Sequence, residues 1–155
     1  MGAAYFYHLT QNPLEHALPL LLEKALQAGW RVEVRANDEQ RLTWLDEKLW
    51  LGPEDNFLPH GLAGGAHDDC QPILLSLKPT GLADCTVSVD GALITQYEVE
   101  ASERICIIFN GLDEQQLNVA RQQWKSLTEA GCQSQYWSEE SGYWQKKMEK
   151  NAPSA

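Results

Sequence analysis

Apolar positions recur along this chain with two different periods, and the switching between them outlines its elements. Tyr5-Phe6-Tyr7-His8-Leu9 favours a strand, closed by the turn-like Thr10-Gln11-Asn12-Pro13. From Leu14 to about Ala28, Leu18, Leu21, Leu22 and Ala25 repeat at i, i+3, i+4 and i+7, which predicts a helix stopped by Gly29. Trp30 to Arg35 alternates as a strand. Asn37 or Asp38 then caps a second helix, which runs to Trp50 on the stripe Leu42, Leu45 and Leu49. A Gly-rich loop follows.

Pro72 to Leu77 is almost wholly apolar, as expected of a strand covered on both faces. Thr86-Val87-Ser88-Val89 and Leu93-Ile94-Thr95 flank Asp90-Gly91, which predicts a hairpin turn. Arg104 to Phe109 is the clearest buried strand. Asn110-Gly111 leads from it into a long helix from Asp113 to Ala130, ended by Gly131. Gln135-Tyr136-Trp137 is read as a last strand, and Trp144 to Met148 with the remaining residues as a frayed end. Helices alternating with apolar strands predict an α/β fold of Rossmann-like, three-layer α/β/α form around a mostly parallel central sheet. A single domain is expected over residues 1–148, with a flexible tail at 149–155.

Composition narrows the class. The chain has 155 residues, of which 43% are hydrophobic and six are Trp, enough for one domain with a substantial core. It contains no run of about 18 apolar residues, so no membrane helix is predicted. The first residues, Met1-Gly-Ala-Ala-Tyr-Phe-Tyr, lack the basic and apolar regions of a signal peptide, so a cytoplasmic location is expected. Cys70, Cys85, Cys106 and Cys132 are widely spaced and read as free thiols, two of them buried in strands. His67-Asp68-Asp69-Cys70 lacks a second ligand group at a supporting spacing, so no metal and no cofactor is expected. A net charge of −10 argues against nucleic acid as the main partner, because displacing counterions from a duplex needs cations.

Nucleotide and nucleophile motifs are missing. The first βα turn contains no glycine, and Gly61 to Ala66 lacks the Lys-Ser/Thr of a phosphate loop. No Gly-x-Ser-x-Gly elbow is present. Two groups of residues remain as candidates. Trp50 and Phe57 flank a Gly-Pro turn before Leu58-Pro59-His60-Gly61, and they are either core plugs or anchors of a shallow binding pocket. On the long helix, Arg121 and Lys125 share one face with Trp124 beside both. Spacing leaves Trp124 open between core and surface. It favours a solvated helix face for the two cations, which can otherwise receive carboxylates of an acidic peptide.

Five segments in order bear on that choice: Tyr5 to Leu9, Arg41-Leu-x-x-Leu-Asp-Glu-x-Leu-Trp50, Phe57-Leu-Pro-His-Gly-Leu-Ala-Gly64, Pro72 to Leu77, and Ala120-Arg121-x-x-Trp124-Lys125. Together they resemble the chi subunit of the bacterial DNA polymerase III holoenzyme. The resemblance implies a Rossmann-like fold without nucleotide chemistry and a non-catalytic accessory role at the clamp loader. It implies binding to the acidic, Phe-terminated tail of single-stranded DNA-binding protein and, in some bacteria, to a psi subunit. It places Trp50 and Phe57 in the apolar pocket, Arg121 and Lys125 against carboxylates, and Trp124 at an aromatic position of the motif. The stretch 78–103, with its predicted hairpin, departs from the family pattern. Two other readings stand beside this one. The first is a diverged nucleotide-dependent enzyme using His60 and the following glycines; the second is a structural subunit whose aromatics are all core.

Overall fold

A computed structural model of the chain describes residues 2–10, 13–50, 60–62, 72–78, 81, 83–139 and 144–151. Strand β1 (Ala3–Leu9) leads to helix α1 (Leu14–Gln27), followed by β2 (Val32–Arg35) and α2 (Glu39–Trp50). Then come β3 (His60–Leu62), β4 (Ile73–Ser76), β5 (Cys85–Ser88) and α3 (Gln96–Ala101). The chain continues through β6 (Arg104–Asn110), α4 (Glu114–Glu129), β7 (Gln133–Ser138) and β8 (Gln145–Lys150). All eight strands join one sheet in the order β3-β4-β2-β5-β6-β1-β7-β8. Every neighbouring pair is parallel except β7 with β8. The α/β, mostly parallel expectation is met.

Alternate residues of the central strands feed two separate cores, as a pleated strand covered on both sides requires. Ile105, Ile107 and Phe109 of β6 join Ala4 and Phe6 of β1, with Ala120 and Leu127 of α4 packed on them. Cys106 and Ile108 instead join Leu9, Leu18 and Leu22 of α1, and Leu42 and Leu45 of α2. Helices α2 and α4 therefore lie against opposite faces of the sheet. Gly29 and Gly131 adopt φ of 83° and 89° at the ends of α1 and α4, the left-handed stop read from the sequence.

Three sequence expectations are corrected. Asp90 and Gly91 do form a tight turn, with φ of 55° and 81°, but no hairpin follows. Strand β5 is already paired on both sides, with β2 and β6, so a returning strand has no edge to join. Thr95 instead caps α3 in a reciprocal box with Glu98, and the Ile94 amide donates to Gln123 Oε1 at 2.9 Å. Second, His60–Leu62, read as loop, is a short strand beside β4. Third, the expected frayed end is a paired strand out to Lys150. It is held at its start by Trp144, edge-on to Tyr7 with centroids 5.4 Å apart. At its close Asn151 Nδ2 donates to the carbonyls of Thr128 and Cys132, each at 3.0 Å.

Candidate functional site

Helix α4 presents the three residues singled out on it. Asp113 caps its first turn by accepting the Gln116 amide at 3.1 Å, and Ala120, Gln123 and Leu127 form its buried stripe. Arg121 and Lys125 are exposed one turn apart. Trp124 is half-buried, its ring edge-on to Phe6 at 5.3 Å and to Tyr136 at 5.8 Å. Tyr136 Oη is in turn 2.8 Å from His8 Nδ1, so the aromatic cluster is tied to the sheet. Trp124 thus belongs to the fringe of one core while keeping an open side between two cations. None of the ion pairs among the described residues uses Arg121 or Lys125.

Trp50 is the last residue of α2, and its side chain and all of Phe57 lie outside the described residues. The helix that carries Trp50 packs on the other face of the sheet from α4. The structure therefore brings Arg121, Trp124 and Lys125 together, and it attaches the Trp50 half of the expected site to the opposite layer. The motif His67 to Cys70 lies outside the described residues, among which no group of three metal-ligating side chains occurs.

A second feature lay hidden from sequence reasoning. A cleft of about 460 Å³ opens at the carboxyl ends of β1 and β6, the usual ligand position of open α/β sheets. Its lining includes Thr10, Leu14, Arg41, Trp44, Asp90 and Gln116. The Arg41 guanidinium lies 4.1 Å from the Trp44 ring centre and is bound in a fork by both carboxylate oxygens of Asp90. At the first βα turn, the Thr10 amide donates to the carboxylate of buried Glu139 at 3.0 Å. An internal anion already takes the donor that a phosphate would seek. The i, i+3 spacing of Arg41 and Trp44 was the available signal; Asp90 was masked by its turn-forming role.

The Cys106 and Cys132 thiols and the Tyr7 phenol are held protonated rather than reactive. The hydrogen bond to Cys85 and then burial push the Cys106 thiol well above its ordinary range. Burial, with Glu100 adding to it, raises the Cys132 thiol, and burial is likewise the main cause that raises the Tyr7 phenol. A thiol held protonated is a poor nucleophile. On β2, Glu33 and Arg35 are buried as an ion pair, extended by Glu98 of α3.

Residues 1–135 match the family described as DNA polymerase III chi subunit, HolC. DNA polymerase III subunit chi of Escherichia coli (strain K12) is 38% identical over 71 residues, which cover 41% of this chain and 48% of that protein. The match thus spans about half the length of that relative.

Proposed function

This chain belongs to the DNA polymerase III chi subunit family, and on that premise we propose that it is a non-catalytic subunit binding the acidic, Phe-terminated tail of single-stranded DNA-binding protein. It thereby links the clamp loader, directly or by way of a psi subunit, to coated single-stranded DNA. One observation carries the reading: Arg121 and Lys125 stand exposed and without carboxylate partners among the described residues, beside a half-buried tryptophan, in a chain of net charge −10. Cations next to an aromatic suit a peptide that offers carboxylates and one aromatic side chain. Trp50 and Phe57 supply an apolar anchor in the same proposal. Since α2 and α4 occupy opposite faces, that anchor and the cations are separable in a test.

The acidic surface fits a protein that reaches DNA through another protein, without strong nucleic-acid binding of its own. The two cores support a three-layer, Rossmann-like arrangement. The Glu139 carboxylate at the first βα turn speaks against the nucleotide-enzyme alternative. No described helix is long and apolar enough to cross a membrane, which accords with a cytoplasmic role.

Titration with an acidic peptide ending in Phe tests the proposal. Saturable binding at roughly micromolar affinity is expected, because a short tail loses entropy on ordering. Absence of saturation, or binding indifferent to both Arg121→Ala and Trp50→Ala, overturns it.

A further inference from the structure

The family match ends at residue 135, whereas β7 continues to Ser138 and β8 is added beyond it. This added edge lies beside the helix that carries the cations. Successive residues around α4 turn by about 100°. Gln123 marks one flank, where it accepts the Ile94 amide. Trp124 and Thr128 fall on the other flank, toward β7 and β8, with Arg121 and Lys125 above them on the solvent side of the helix. There Trp124 meets Tyr136, and the Thr128 carbonyl accepts from Asn151.

Directly opposed residues of an antiparallel pair share a face. Met148 opposes Tyr136 and Lys150 opposes Ser134, so both stand on the α4 side of the sheet. Lys146 opposes Trp137 on the reverse side and pairs with Glu149 there at 3.4 Å. The trough between α4 and β8 therefore has a floor of Trp124, Tyr136 and Met148, the last 46% exposed. Arg121 and Lys125 line one bank and Lys150 the other. None of these three cations joins an ion pair among the described residues.

Lysines on an edge strand also discourage unwanted sheet extension. That accounts for the lysines but not for a half-exposed thioether beside two aromatics. We propose that β8 is the outer wall of the tail-binding surface, and that an acidic peptide ending in an aromatic residue lies in the trough between α4 and β8. The proposal rests on the tail-binding reading of the α4 cations. The adaptable methionine adds apolar contact along the peptide, and Lys150 adds a third cation for the peptide's carboxylates.

Fluorescence anisotropy of a labelled acidic peptide ending in Phe, titrated with the full chain, tests this. Met148→Ala should weaken binding about threefold and Lys150→Glu about fivefold, in keeping with exposed contacts. Lys146→Ala, on the reverse face, should leave binding within about twofold. Unchanged circular dichroism and melting midpoints would show that the variants fold. If the wild type binds and Arg121→Ala weakens it while the Met148 and Lys150 variants match wild type, the β8 wall is overturned and the α4 reading stands. If the wild type does not bind at all, both fall.

Discussion

Trp144 stands edge-on to Tyr7, their ring planes at 89°, and so fastens the last strand of the sheet to the first. An edge strand that is otherwise exposed along its length gains most of its hold from such anchors. Trp144→Ala should lower stability by about 1–3 kcal/mol, below the cost for a fully buried tryptophan because this one is half-buried. Amide hydrogen exchange is the direct measurement. Residues 145–150 should lose protection while β6 keeps it, and unchanged exchange in β8 would refute the anchoring role.

The α4 cations should separate binding from folding. Arg121→Ala and Lys125→Ala remove exposed side chains, so urea denaturation should register less than about 0.5 kcal/mol for each. Tail binding should nevertheless weaken in both, and the wild-type affinity should fall as salt rises, because screened surface charges carry it. Affinity that does not respond to salt would argue against a charge-led contact.

The buried pair on β2 behaves in the opposite way. Arg35 and Glu33 are 5% and 2% exposed, and Glu98 of α3 closes on the same guanidinium. Arg35→Met leaves the Glu33 carboxylate buried without this cation, at a cost of about 3–5 kcal/mol. Equilibrium unfolding measures it, and a loss under about 1 kcal/mol would mean that the network is solvated.

Alkaline pH should weaken the fold through its thiols. The folded Cys106 keeps its proton to higher pH than the unfolded chain, so the unfolded state loses protons first. The contribution is complete below the ordinary thiol value of 9.0 and declines as pH rises past it toward the raised folded value. The urea midpoint should therefore drop as pH rises above 9.0. The drop should be shallower in Cys106→Ala, and a parallel decline in both proteins would exclude this cause.

Much of the scaffold was legible because it obeys local rules. The apolar run Arg104 to Phe109, the leucine stripe of α1 and the glycine stops at 29 and 131 each reflect one short-range constraint. The errors came where pairing partners decide. Asp90-Gly91 has the backbone of a hairpin turn, yet β5 had both edges taken. Trp144 to Met148 reads as the start of a frayed end, and pairing with β7, supported by Trp144 and Asn151 bound to distant residues, makes it a strand. Helical spacing puts Arg121, Trp124 and Lys125 side by side on α4, as the structure has them. No pattern along the chain could reveal that α2 and α4 would lie on opposite faces, or that Glu139 would reach Thr10.

That last contact shapes how the molecule responds to its surroundings. In open α/β sheets that bind phosphate, the amides of this first turn stay free for an outside anion. Here the side chain of Glu139, 129 positions along the chain, holds the Thr10 amide instead. A phosphate reaching that amide would first have to displace the Glu139 carboxylate.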